Sequence, residues 1–206
     1  MVIGLMILTS IPTITGVGQA YSAQKTQEER QKDEARMKKF HIDVLCDLNS
    51  PYVRDIHENR IVLKDDRVWV GPKGAVNPCS QGYVAEAFYI EYPDNERNPV
   101  PLGLVSQTRA DPPLLNWIYV DKSTMEVKYG NKTASIEHHV GPWDWSDDER
   151  VIIFDDAAQF TAVQHPGTWR WQLYQDMKED GLAGYVPKGR RKVQINLIRT
   201  LMPTAT

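Results

Sequence analysis

Residues 102–129, LGLVSQTRADPPLLNWIYVDKSTMEVKY, alternate short runs of aliphatic, β-branched and aromatic residues with clusters of Asp, Pro, Lys and Ser. The runs Leu102–Gln107, Trp117–Val120 and Glu126–Tyr129 have the composition and length of strands, and their flanks have the composition of turns. Lys122-Ser123-Thr124 is compact enough to be a hairpin turn, so these strands should pair antiparallel.

The same rhythm continues in both directions. Upstream, His41–Cys46, Arg60–Leu63, Val68–Val70 and Val84–Tyr92 read as strands, with Asp65-Asp66 as a second hairpin turn. Downstream, Val151–Phe154, Phe160–Val163, Trp169–Tyr174 and Lys192–Leu201 continue the series. Many short strands without helical crossovers predict a mainly β domain over residues 40–206, an antiparallel β-sandwich or barrel. No repeat of fixed period occurs, which argues against a propeller or solenoid.

An N-terminal helical arm over residues 1–39 precedes this domain. Residues 1–24, MVIGLMILTSIPTITGVGQAYSAQ, carry no charged side chain, whereas residues 25–39, KTQEERQKDEARMKK, are densely charged. The charged part has helix-forming composition without Gly or Pro, and pairs such as Glu28/Lys32 and Glu34/Lys38 would support a solvated helix. The apolar part must be buried in a membrane, in a partner or in the protein's own core. The preferred reading is insertion into a membrane or protein partner through residues 1–20, with Val2, Ile3, Leu5, Ile7, Leu8, Ile11 and Ile14 as the inserting side chains. Each would contribute about 1.5 to 3 kcal/mol on full burial. A signal peptide is the rival, with a small-x-small site at Gly18-Gln19-Ala20 but no positive n-region. Pro12 would kink a spanning helix. The preferred location is therefore intracellular and membrane-associated rather than secreted.

With 206 residues, net charge −3 and pI near 6.0, the chain lacks the cationic excess that phosphate-backbone binding needs, and no nucleic-acid partner is expected. The local basic cluster Lys188, Arg190, Arg191 and Lys192 reads as a solvated turn. Cys46 and Cys79 read as free thiols. Asn131-Lys132-Thr133 is a glycosylation acceptor pattern, relevant only on secretion.

Several clusters resemble chemistry without its full pattern. In Glu137-His138-His139, adjacent strand residues point to opposite faces, so the two rings do not readily share a metal. Asp144-Trp145-Ser146-Asp147-Asp148-Glu149 reads as a helix start, with Ser146 and Glu149 at capping-box spacing. Asp176 to Gly181 imitates the start of a calcium loop, but Lys178 occupies a ligand position and the stretch reads as a turn. No metal ligand set, cofactor motif or catalytic residue is assigned. The tryptophans stand out: Trp143 and Trp145 in Gly-Pro-Trp-Asp-Trp, and Trp169 and Trp171 in Gly-Thr-Trp-Arg-Trp. Alternation would place each pair on one face, where exposed rings could stack on a sugar or anchor a partner.

Asn116-Trp117-Ile118-Tyr119-Val120-Asp121-Lys122, Lys128-Tyr129-Gly130-Asn131 and Gly141-Pro142-Trp143-Asp144-Trp145, with MVIGLM and Ile11-Pro12-Thr13 at the start, are the motifs by which the chain resembles a family of uncharacterised proteins from filamentous fungi. The resemblance runs along nearly the whole chain and brings with it no activity, ligand or site residue.

The expected function is a non-enzymatic binding or assembly module, able to self-associate, whose apolar N-terminus inserts into a membrane or protein partner. The first alternative is a secreted protein binding carbohydrate on a Trp-lined face. The second is a small barrel enzyme of cyclase or isomerase type, drawing on Asp111, Glu137 and His139.

Overall fold

A computed structural model describes residues 27–94, 96–109 and 111–203. The apolar segment with Val2, Ile3, Leu5, Ile7, Leu8, Ile11 and Ile14 lies outside the described residues. The chain divides between Arg36 and Met37 into two units. A largely exposed helix, α1, runs over residues 27–37, nearly all of it in the first unit, as the charge-rich composition requires. Arg36 pairs with Asp33 one turn away at 3.4 Å.

The described residues of the second unit form thirteen strands: β1 Phe40–Cys46, β2 Asn59–Lys64, β3 Arg67–Val70, β4 Tyr83–Val84, β5 Glu86–Glu91, β6 Leu102–Arg109, β7 Leu114–Val120, β8 Val127–Gly130, β9 Trp143–Trp145, β10 Ile152–Phe154, β11 Phe160–Gln164, β12 Trp171–Gln175 and β13 Lys192–Leu201. Two single-turn helices, α2 Val53–Ile56 and α3 Lys132–Ser135, complete it.

The main sheet closes on itself. The order β12-β11-β13-β1-β5-β6-β7-β8-β3 returns to β12 through Trp171↔Val70 and Gln172↔Trp69, giving a nine-stranded antiparallel barrel. Strand β2 pairs with β3 and also reaches β1 at Asp43↔Arg60, so it links two strands that are not neighbours in the ring. Closure satisfies the backbone groups that an open sheet would leave at its edges. Of the two architectures compatible with the sequence, the barrel forms.

Period-two burial produces the core. Strand β1 alternates buried and half-buried residues from Phe40 to Cys46, and its partner β13 buries Val193, Ile195 and Leu197 in step. These side chains pack with Ile61, Leu104, Ile118, Val120, Trp143, Phe154, Phe160 and Trp171 in one continuous cluster. Cys46 and Cys79 are free, as expected. Asp65 and Asp66 do form the β2–β3 turn. Both have positive φ, 53° and 59°, as a tight turn matching strand twist requires, and Asp tolerates that region better than most residues.

Three local expectations are corrected. Val84–Tyr92 is two strands, because the run breaks at Ala85. Ser146 and Glu149 do not open a helix; they form the turn of the β9–β10 hairpin. Ser146 N–H donates to the Val151 carbonyl at 2.8 Å, Glu149 N–H donates to the Ser146 carbonyl at 2.7 Å, and Glu149 has φ 56°. The β-branched run after the turn pairs back onto Trp143–Trp145, which overrides the capping-box spacing. Strand β12 begins at Trp171, so Trp169 stands in the preceding turn and not on a strand face.

Asp176 to Gly181 is a turn, as expected. The Asp176 carboxylate accepts from Gly181 N–H at 2.9 Å, and its carbonyl accepts from Glu179 N–H at 3.1 Å. Among the described residues no group of His, Cys, Asp and Glu is arranged to hold a metal, and no helix is long and apolar enough to cross a membrane.

Candidate functional site

A cleft of about 780 Å³ lies at one end of strands β6, β7 and β8. The β2–β3 turn, Asp65 to Arg67, forms one wall, and Asn131 and Ala134, at the start of α3, form another. A β-bulge shapes its floor. Gln107 pairs with Leu115 and Arg109 with Leu114, so Thr108 falls outside the ladder. Such a bulge re-aims side chains that regular alternation would fix. Thr108 Oγ1 accepts from Asn116 Nδ2 at 2.6 Å, which fixes the Asn116 carboxamide in the cleft wall.

The β7–β8 hairpin supplies one of the cleft's charges, Lys128, beside Asp65, Asp66 and Arg67 of the β2–β3 turn and Arg109 of β6. Asp121 closes the turn: one carboxylate oxygen accepts from Ser123 N–H at 2.9 Å and Thr124 N–H at 3.2 Å, and the other accepts from Lys128 Nζ at 2.7 Å. Glu126 lies 3.5 Å from the same ammonium and accepts from the Tyr174 hydroxyl at 3.1 Å. Burial alone would raise the Asp121 carboxyl, but Lys128 and the Ser123 amide outweigh it and hold the group down at about 2. Burial likewise opposes the charge on Lys128, yet Asp121 and Glu126 keep its ammonium above the ordinary lysine range. Desolvation raises the Tyr119 and Tyr129 phenols. The cleft therefore presents the Lys128 ammonium, the Tyr119 and Tyr129 phenols and the Asn116 and Asn131 carboxamides beside the side chains of Asp65, Asp66, Arg67 and Arg109, a mixture of hydrogen-bond donors and acceptors.

One consequence concerns acid stability. A free Asp titrates near 3.8 and this one at about 2, so its stabilisation is complete above about pH 4 and is lost as pH falls toward 2. A shift of nearly two units corresponds to roughly 2 kcal/mol. In chemical denaturation across this range, Asp121→Asn should be less stable than wild type at pH 6. The difference should shrink by about that amount at pH 2.

The sequence-assigned tryptophans do not come together. Trp143 is buried against Phe154 at 4.7 Å and Phe160 at 6.0 Å. Trp171 is buried against Tyr52 at 5.1 Å. Trp145 is half-buried, with the Arg199 guanidinium 4.5 Å above its ring. Of these four, Trp169 is the one that is largely exposed, at 64%. Alternation in β9 points Trp143 into the core because its partner Phe154 is itself a core residue. The Trp-lined face expected from the two pairs is therefore reduced to one exposed ring.

The residues considered for enzymatic chemistry occupy different surroundings. Asp111 is exposed, Glu137 is exposed and pairs with Lys122 at 3.8 Å, and His139 lines a mostly apolar cavity with Met125 and Tyr185. His138 stacks on Tyr119 with centroids 5.1 Å apart.

Sequence reasoning did not single out the cleft residues, although a signal was present. Asn116, Tyr119, Lys128, Tyr129, Gly130 and Asn131 all lie within two motifs that carried the fungal resemblance, and the β7–β8 hairpin brings both motifs to one cleft.

A family model described as the fungal beta-trefoil domain matches residues 16–203. The match covers the whole barrel and leaves out residues 1–15, including MVIGLM and Ile11-Pro12-Thr13. No curated protein and no solved structure matches the chain.

Proposed function

The chain belongs to the fungal beta-trefoil domain family, and on that premise we propose that it is a non-enzymatic binding module whose β6–β8 cleft takes a neutral carbohydrate. Beta-trefoil domains often bind carbohydrate or protein. The cleft's size and lining favour carbohydrate. About 780 Å³ bounded by Asn116, Asn131, Asp65, Asp66, Arg67, Arg109 and Lys128 offers donors and acceptors in the mixture that hydroxyl groups need, with the half-buried Tyr129 ring at its wall. A rigid barrel supports this by fixing these groups in advance, which limits the entropy lost on binding.

The test is binding of a panel of neutral oligosaccharides by the full chain and by Asn116→Ala and Asp65→Asn variants. Each lost hydrogen bond is worth about 1 kcal/mol, so each variant should weaken binding by about fivefold or more. Both substitutions leave the core untouched, and the folded fraction should stay near wild type.

A second reading concerns the N-terminus. Residues 1–24 carry no charge, which supports insertion of Val2, Ile3, Leu5, Ile7, Leu8, Ile11 and Ile14 into a membrane or protein partner, with self-association as one form of that partnership. Deleting residues 1–20 should release the protein from membrane fractions or dissolve an oligomer while the barrel keeps its unfolding transition. Loss of that transition would mean that the segment belongs to the protein's own core.

A further inference from the structure

Strand β12 buries Trp171 and Leu173 toward the core, and its alternate residues Gln172 and Tyr174 line a small recess on the other face. The recess holds about 170 Å³, roughly the liquid volume of five or six waters. Gln172 is only 2% exposed, and its amide Nε2 has no hydrogen-bond partner among the described residues. A buried, unsatisfied N–H donor costs free energy and is rare in native proteins, so its retention calls for an acceptor.

Two guanidiniums border the recess. Arg67 stands 3.9 Å from Glu126, whose carboxylate is already engaged by Tyr174 and Lys128. The Arg190 side chain makes no ion pair or hydrogen bond among the described residues. Arg67 and Arg190 against Glu126 leave an excess of positive charge at the recess, which suits an anion. Planar guanidinium forks and an amide N–H both match the two oxygens of a carboxylate.

The recess opens beside a broader basin of about 520 Å³, with Gln164, His165 and Arg190 as their shared wall. Trp169 lines that basin with its ring mostly exposed. A ligand that placed its acidic group in the recess could lay a ring against this indole. We propose that recess and basin together form a second ligand site, which takes the carboxylate of a small ring-bearing acid of the uronic acid kind.

The test is calorimetric titration of the full chain with sodium glucuronate, glucose and inorganic phosphate. Glucuronate is expected to bind at least tenfold more tightly than glucose or phosphate. Arg190→Ala and Trp169→Ala, both at partly or largely exposed positions, should each weaken it at least fivefold. Gln172→Leu should weaken glucuronate binding comparably and leave the unliganded melting temperature unchanged or higher, because it removes an unsatisfied donor while keeping similar volume. The cleft variant Asn116→Ala should leave glucuronate binding unchanged, so this site can fail without the cleft and the cleft without this site. Equal affinity for glucose, tighter binding of phosphate, or unchanged affinity in Arg190→Ala or Gln172→Leu would overturn the proposal.

Discussion

Trp143→Ala should destabilise the domain by about 3 to 5 kcal/mol, the range for truncating a fully buried Trp. Trp143 is 1% exposed and contacts Phe154 and Phe160, so it ties the β9–β10 hairpin to β11 of the barrel. Truncation would leave a cavity lined by rings that cannot collapse without leaving their own strands. For a domain of this size the melting temperature should fall by roughly 10 °C. Trp143→Phe provides the contrast. It keeps a ring in place and removes the indole N–H, which has no hydrogen-bond partner among the described residues. Its loss should be well under half that of the alanine variant. Equal losses would mean that the hairpin is not held by this packing.

Gly141→Ala should cost about 3 kcal/mol, toward the upper end for overpacking. A Cβ on Gly141 would lie 2.3 Å from the Leu102 carbonyl oxygen and 3.3 Å from Pro101 Cβ. Neither can yield easily. Leu102 is the first residue of β6 and pairs with Glu91, while the Pro101 carbonyl accepts from Tyr92 N–H at 2.9 Å. Gly167→Ala is the control, because a Cβ there meets nothing within 4 Å and only the φ of +66° opposes it. It should cost about 1 kcal/mol. Thermal or urea unfolding of the two variants measures the difference, and comparable losses would contradict the close approach of Gly141 to β6.

Much of the barrel was legible in the sequence because its strands obey a local rule. Lys192–Leu201 was bounded correctly at both ends: polar and apolar residues alternate from Lys192 to Leu197, and its partner β1 alternates in register. Asp65-Asp66 was legible as a turn because few residues other than Gly, Asn and Asp accept consecutive positive φ values. Ser146 and Glu149 misled, since a capping box and a polar hairpin turn share composition and only the pairing of Ile152–Phe154 with Trp143–Trp145 separates them.

The cleft was not legible for a different reason. Asp65 is far in sequence from Asn116 and Lys128, all three are ordinary in type, and they meet only because β7, β8 and the β2–β3 turn converge. The bulge that frees Thr108 leaves no signature in its own side chain. The tryptophans drew attention by their chemistry, yet burial depends on the partner strand, which composition does not reveal. Opposite Trp143 stands Phe154, a core residue; Trp169 has no strand partner and stays exposed.

The central claim is that a rigid beta-trefoil barrel presents a polar cleft for carbohydrate at β6–β8. Its most direct test is NMR titration of the isotope-labelled full chain with the neutral oligosaccharide that binds best in the panel. The account predicts that the backbone amides shifting most are those of Asn116, Tyr119, Lys128, Tyr129 and Asn131, and that Asn116→Ala abolishes most of the shift at equal ligand concentration. Shifts centred elsewhere on the barrel, or no oligosaccharide binding at all, would contradict it.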